Sequence, residues 1–107
     1  LVLLGTPVMG LVDSAAGIGS YSAALALAGL PSAAALLIRM RCWFAEEPSL
    51  ADACFAGDTR YAVLRNSSLN FDEGQFVVPA AGGLLNWGVL GATQPVHVTI
   101  DVLGYWR

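Results

Sequence analysis

Hydrophobic and polar residues alternate along several short segments of the chain, which is the two-residue period of a β-strand. The clearest case is residues 33–44, where Met40 lies among apolar residues on one face and Arg39 and Arg41 project from the other. Residues 96–102 alternate in the same way, with valine and isoleucine on one side and polar residues on the other. Both segments are predicted to be strands with one buried and one mixed face.

Five further strand-like runs are separated by residues that favour turns. They cover residues 1–9, 21–28, 61–64, 75–80 and 84–90. Polar or glycine-bearing breaks are predicted at 13–20, 30–32, 57–58, 66–68 and 91–95, and Gly82-Gly83 predicts a hairpin. Residues 46–53 predict a helical turn after Pro48. About seven strands at this spacing predict a single all-β domain over residues 1–107, an antiparallel β-sandwich or flattened barrel.

The composition indicates that part of the surface is covered by a partner. Hydrophobic residues make up 56% of the 107-residue chain and charged residues 12%, against about 25% charged residues in an average soluble domain. So few charges leave apolar surface exposed, and contiguous apolar patches usually mark interaction sites. The net charge is −3 and lysine is absent, which argues against nucleic acid and against anionic membrane as partners.

Residues 14–38 carry no charge and are long enough for a membrane helix. Glycine and serine residues interrupt this segment, and Pro31 disfavours helical geometry at the residue before it. Each half is about ten residues long, a strand length. We therefore expect two buried strands and no membrane span.

Cys42 and Cys54 are twelve residues apart and flank an acidic segment. We expect them to form a disulfide, with two free thiols as the alternative. A disulfide would place the protein in an oxidising compartment. The chain has no CxxC motif and a single histidine, so no metal or cofactor site is expected.

Three segments together resemble a known type of module. Residues 29–38 fit G-x-P-x-x-A, residues 68–75 fit S-L-N-F-x-x-G-Q, and residues 97–106 fit H-V-x-x-D-V-x-G-Y-aromatic. This ordered set resembles a β-rich C-terminal or repeat module of secreted, high-GC (actinobacterial-type) bacterial proteins. The resemblance implies a β-rich fold and an extracellular setting, and it implies no shared catalytic activity. Residues 1–10 lack the arginine and aspartate usual in the opening strand, and the cysteine segment is similar to an insertion.

No constellation for catalysis is expected. His97 is the only imidazole, and Asp101 lies four residues along the same strand face, roughly 13 Å away. A catalytic triad needs direct hydrogen bonds, and no GxSxG motif is present. Glu46 and Glu47 are adjacent loop residues, for which solvation is the expected state. The chain is therefore predicted not to be an enzyme.

Three other sets of residues have candidate roles. Arg39 or Arg41 is predicted to form a structural ion pair with Asp101 across neighbouring strands. A set of aromatic residues can form either core and assembly contacts or a sugar-stacking platform; its members are Trp43, Trp87, Trp106 and Tyr105. Residues 66–68 fit the glycosylation acceptor pattern.

The sequence therefore favours a non-enzymatic structural module of an extracellular, cell-surface or virion-like assembly. Its partner would be a copy of itself or a larger structural polypeptide. The expected contact is an apolar N-terminal donor strand that adds to a neighbour's sheet edge, formed by Leu1, Val2, Leu3, Leu4 and Val8. The alternative is a carbohydrate- or cell-wall-binding module that uses the exposed aromatic residues.

Overall fold

The computed structural model describes residues 1–24, 30, 32–57, 62–80 and 82–107, with the backbone alone for 6–24. The predicted all-β class is confirmed, and the strands are antiparallel. Six strands are present in the described residues: β1 (Val2–Ala24), β2 (Ala35–Trp43), β3 (Ser49–Ala56), β4 (Ala62–Asn66), β5 (Phe71–Pro79) and β6 (Leu84–Trp106).

A long ribbon of two strands organises the sheet. β1 pairs with β6 over nearly its whole length, from Val2 opposite Tyr105 to Ala24 opposite Leu84. The other edge of β6 is shared, because β3 pairs with the N-terminal part of β6 and β2 with its C-terminal part. β4 extends the sheet beyond β3, and β5 extends it beyond β2.

The two halves of the sheet approach each other at the β4–β5 turn, so the sheet nearly closes on itself. The backbone N–H of Arg65 in β4 donates a hydrogen bond to Asp72 Oδ2 in β5, at 3.2 Å. Asn70 in the turn has a left-handed backbone, with φ of 55°. The sheet thereby encloses one core between its halves, the arrangement of an orthogonal sandwich or a flattened barrel.

The core follows the alternation predicted from the sequence. Every second residue of β2 is fully buried, because these side chains all point to the inside of the curved sheet. The largest fully buried side chains in the described residues include Leu36, Ile38, Met40, Val78, Leu85, Val89, Val96, Val98, Ile100 and Val102. Burying a side chain of this kind stabilises the fold by about 1.5–3 kcal/mol.

The breaks predicted within the long strands were largely wrong. Residues 13–20 continue β1, and residues 91–95 continue β6. Backbone hydrogen bonds of the ribbon hold both segments extended, although their glycine content favours turns. Gly91 supplies the flexibility, with φ of 77°, where β6 passes from its β3 partner to its β2 partner.

Two other local predictions need correction. Residues 49–56 form β3 and not a helical turn, since β6 and β4 pair with them on either side. The glycines at 82 and 83 do form a turn, but the strands that it connects, β5 and β6, pair with other strands. Residues 25–28 of the predicted second strand lie outside the described residues. Within the described part of the chain, no helix is long and apolar enough to cross a membrane.

Candidate functional site

The outer face of β2 and its two neighbours carries the main candidate site. Leu37, Arg39, Arg41 and Trp43 project outward from β2, because the residues between them fill the core. β5 and β6 add the residues directly opposite, which share the same face. We call this surface the outer face. Its centre carries two ion pairs, Arg39 with Asp101 and Arg41 with Glu73, which we call the ionic rows. Aromatic side chains at one end form the aromatic row, and apolar side chains at the other end form the apolar strip.

The ionic rows hold two cross-strand pairs at the centre of the outer face. Arg39 Nη2 lies 3.1 Å from Asp101 Oδ2, and Arg41 Nε lies 3.2 Å from Glu73 Oε2. The predicted pairing of an arginine with Asp101 is therefore present, through Arg39. Arg41 bonds Glu73 instead, on the opposite neighbour of β2. Both pairs follow from register, since Arg39 is aligned with Asp101 and Arg41 with Glu73.

A pocket of about 320 Å³ opens between the ionic rows and β5. It is lined by Arg39, Arg41, Glu73, Gly74 and Gln75. Arg39 Nε is buried and has no hydrogen-bond partner among the described residues, and the same holds for Thr99 Oγ1. Both atoms are therefore buried polar groups without a hydrogen bond, a state that lowers the stability of the folded chain.

The aromatic row borders the ionic rows at the end of β2. The ring of Trp43 lies between Phe71 of β5 and His97 of β6, with centroid distances of 5.2 Å and 5.3 Å. The rings are tilted by 43° and 53°, a favourable geometry for aromatic pairs. Trp43 keeps 39% of its surface exposed, so the row has a solvent-accessible aromatic side.

Sequence reasoning placed other aromatic residues in this role, and two of them are corrected. Trp87 is buried in the core, because it follows the inward alternation of Leu85 and Val89 on β6. Tyr105 is half-buried and packs against the core. Trp106 is half-buried on the outer face, at the end away from Trp43, opposite Ala35.

The apolar strip crosses the opposite end of the outer face. Val77 of β5 is aligned with Leu37, Leu37 with Gly104 of β6, and Gly104 with Leu3 of β1. A β-carbon built on Gly104 would lie 3.3 Å from Leu3 Cδ2 and 3.2 Å from Leu1 Cδ1. The two leucines therefore lie over this glycine. We define the apolar strip as Leu1, Leu3, Leu37, Val77 and Trp106.

Much of the apolar strip is accessible to solvent. The exposed fractions are 60% for Leu1, 67% for Leu3 and 54% for Val77. Exposed aliphatic side chains in register on neighbouring strands form a continuous patch, unlike the single exposed apolar residues found on every protein surface.

The five residues predicted to mediate assembly are distributed over different environments. Leu1 and Leu3 belong to the apolar strip, Val2 is exposed at 41%, and Leu4 packs against the core. Val8 pairs through its backbone with Val102, and its side chain lies outside the described residues. The predicted donor strand needs correction, because it pairs with β6 of its own chain. Only its outer edge can accept a neighbour.

The predicted disulfide stays a prediction. Cys42 and Cys54 are neighbouring, buried thiols in this structure. They come from β2 and β3, whose inner faces approach each other where the sheet curves. A hydrogen bond with Cys54 raises the pKa of the Cys42 thiol far above its ordinary value, and burial and the neighbouring charges of Cys54 and Asp72 raise it further. Cys42 is thus held in the protonated thiol form within the core.

The acidic loop between β2 and β3 is held by a polar network. The Thr93 hydroxyl and backbone N–H donate to the carboxylate of Glu46 at 2.8 Å and 2.7 Å, and the Thr93 hydroxyl bond is the main cause that lowers the Glu46 pKa. The Asn66 amide donates to the Glu47 carbonyl and to Asp52. Asn66 is fully buried, so the glycosylation pattern at this position is inaccessible in the folded chain.

The structure does not bring His97 and Asp101 into one catalytic arrangement. His97 lies against the ring of Trp43, and the Asp101 carboxylate is held by Arg39. Within the described residues, no group of three or more His, Cys, Asp or Glu side chains can hold a metal ion.

Most of the site residues that the sequence did not predict lie on β5. Phe71, Glu73 and Gln75 face outward because β5 begins at Phe71, whereas the predicted strand began at Gln75. The sequence has no regular alternation before Val77, because Asp72 and Glu73 are adjacent acids and Gly74 follows them.

No family model, curated protein sequence or solved structure matches the chain. The resemblance to a module of secreted bacterial proteins, the extracellular location and the absence of enzymatic activity stay predictions.

Proposed function

We propose that this chain is a non-enzymatic structural module that packs against a second copy of itself through the apolar strip and the adjoining edge of β1. The proposal includes the extracellular or particle-borne setting predicted from the sequence. The observation that carries it is the alignment of Leu3, Gly104, Leu37 and Val77 across four strands, which leaves a continuous apolar surface in water.

The energetics of the apolar strip support association. Removing apolar surface from water stabilises a complex by roughly 25 cal/mol per Å², before the costs of association are subtracted. A standard interface buries about 800 Å² on each partner, an area that one long side of a molecule of 40 × 23 × 20 Å can supply.

The open edge of β1 indicates that the partner on this surface is a second copy of the chain. Among the described residues, β6 is the only strand that pairs with β1, so the opposite edge of β1 presents main-chain donors and acceptors. Such an edge is a template for another strand. Two copies of one antiparallel edge can pair around a two-fold axis, since each copy then presents the same surface to the other.

The shortage of charge supports the same conclusion. Natural sheets protect open edges with lysine and other charged residues. The chain has no lysine, and residues 1–12 contain no charged side chain. No repulsion between charged side chains of this segment therefore opposes pairing with an identical copy, and Pro7 is its one residue without a backbone N–H.

Substitution of Leu3 by glutamate tests this function. Size-exclusion chromatography with light scattering is expected to give a mass above 11.1 kDa for the unmodified chain and the monomer mass for Leu3→Glu. Leu69→Glu is the matched control, because Leu69 is 79% exposed in the β4–β5 turn. This control is expected to associate like the unmodified chain.

Leu3→Ser serves as a second variant that removes the apolar side chain without adding charge, and circular dichroism verifies that each variant is folded. A monomeric unmodified chain would overturn the proposal. So would unchanged association of folded Leu3→Glu and Leu3→Ser.

A further inference from the structure

The centre of the outer face has a chemistry different from that of the apolar strip, and it points to a second kind of partner. We infer that the pocket between the ionic rows, together with Trp43, binds a neutral saccharide chain. This site goes beyond self-association and uses residues that the apolar strip does not contain.

The pocket has the dimensions of a ligand site. Its volume of about 320 Å³ is at the lower end of the range of about 300–1,000 Å³ for small-molecule pockets. Gly74 lines the pocket with its backbone, because a β-carbon at this position would point to the inner face, 2.7 Å from the ring of Phe76. It is open to solvent along the strands, so it can hold one or two sugar rings of a longer chain.

The pocket is lined by both donors and acceptors of hydrogen bonds. This suits sugar hydroxyl groups, because each hydroxyl can donate one hydrogen bond and accept others. The guanidinium of Arg41 is a donor, the carboxylate of Glu73 an acceptor, and the amide of Gln75 both. Among the described residues, Arg41 donates only through Nε to Glu73. The remaining N–H groups of its guanidinium are therefore open to a ligand.

The charges of the pocket favour a neutral ligand over an anionic one. Arg39 is paired with Asp101 and Arg41 with Glu73, so each positive charge has a carboxylate partner. An anionic ligand would be attracted by the arginines and repelled by the two carboxylates. A neutral ligand with several hydroxyl groups can bond all of these groups without breaking either ion pair.

Trp43 supplies the apolar part of sugar recognition. It follows Arg41 by two residues on the same face of β2, a separation of roughly 7 Å along the strand. Its contacts with Phe71 and His97 fix the ring, and 39% of its surface is exposed. A fixed, exposed indole can cover the C–H side of a sugar ring while the pocket bonds its hydroxyl groups.

Affinity gel electrophoresis with four soluble neutral polysaccharides tests the site, using β-glucan, xylan, galactomannan and amylose, with polygalacturonate as an anionic comparison. We expect retardation by at least one neutral polysaccharide. Trp43→Ala is expected to weaken this binding by about tenfold, whereas Trp43→Phe, which keeps an aromatic ring, retains most of it.

Arginine variants test the polar half of the site. Arg41→Ala is expected to weaken binding by about tenfold, because it removes the free donors of the pocket. Arg65→Ala is the matched control, since the Arg65 side chain is also exposed but donates to the carbonyl of Leu50 on β3. Its binding is expected to equal that of the unmodified chain.

Three results would overturn the inference: no retardation by any of the four neutral polysaccharides, retardation by polygalacturonate alone, or binding that survives both Trp43→Ala and Arg41→Ala. All variants change side chains outside the buried core, and circular dichroism verifies their folding. None of these results depends on the Leu3 variants, so failure of the saccharide site and failure of self-association are separable.

Discussion

Arg39 and Asp101 face each other on neighbouring strands, and their side chains form an ion pair of 3.1 Å across the β2–β6 register. The carboxylate is mostly shielded from water, with 14% of its side chain exposed. This pair joins the central strand of the outer face to the long ribbon. It is therefore part of the framework that holds the ionic rows in position.

Asp101→Asn is expected to lower the free energy of unfolding by about 1 kcal/mol, the upper range for a cross-strand charge pair. Glu73→Gln breaks the Arg41 pair, whose carboxylate is 52% exposed, and is expected to cost less because solvent screens this pair. Urea denaturation of both variants measures the difference. Equal stability of Asp101→Asn and the unmodified chain would show that the buried pair is unimportant.

Gly91 is expected to be the glycine of β6 that tolerates a side chain least. A β-carbon at this position would lie 2.5 Å from the Ala51 carbonyl oxygen, and the residue has φ of 77°. Gly91→Ala is therefore expected to destabilise the fold by about 3 kcal/mol, through backbone strain and a steric clash with β3.

Gly82→Ala is the control that measures backbone strain without a steric clash. Gly82 also has a left-handed backbone, but no atom lies within 4 Å of its β-carbon position. It is expected to cost about 1 kcal/mol. Thermal unfolding of the two variants measures the contrast, and an equal loss in both would contradict the close approach of Ala51.

Glu46 is expected to make stability depend on pH. Its pKa in the folded chain lies below the ordinary value of 4.5, chiefly because the Thr93 hydroxyl donates to the carboxylate. The unfolded chain thus binds this proton more readily than the folded chain. The stabilisation is present above pH 4.5 and is lost as the pH falls through the folded pKa.

Glu46→Gln removes this charge, so the variant is expected to melt below the unmodified chain at pH 7. The two melting temperatures are expected to converge as the pH is lowered below 4.5 and through the folded pKa of Glu46. Glu47→Gln is a neighbouring control. A constant difference between Glu46→Gln and the unmodified chain over this range would exclude the linkage.

The two cysteines are expected to react only when the fold opens. Both thiols are buried, and the raised pKa of Cys42 leaves it protonated at neutral pH, whereas alkylation requires the thiolate. Iodoacetamide at pH 8 without reductant is expected to modify neither cysteine in the native chain and both after denaturation. Mass spectrometry counts the labels on each chain. If the denatured chain stays unlabelled and gains two labels only after reduction, Cys42 and Cys54 form a disulfide and the prediction is wrong.

Strands with an unbroken apolar face were predicted correctly from the sequence. β2 was predicted to within two residues at either end, because its alternation leaves a single possible register. The Arg39–Asp101 pair followed from the same reasoning, since both residues lie on the polar faces of strands that were correctly placed.

Features that depend on partner strands could not be predicted from local pattern. Residues 13–20 and 91–95 contain turn-forming residues but remain extended, because β1 and β6 pair along their whole length. The burial of Trp87 follows from the position of its strand in the curved sheet. Phe71 and Glu73 were missed for a simpler reason, because the start of β5 was placed four residues too late.

The central claim is that an apolar surface built on β1 and its neighbours brings two copies of the chain together. Sedimentation equilibrium of the unmodified chain over a series of concentrations tests it most directly. The account predicts a mass that rises with concentration toward twice the chain mass of 11.1 kDa. A mass that stays at 11.1 kDa at every concentration would contradict it.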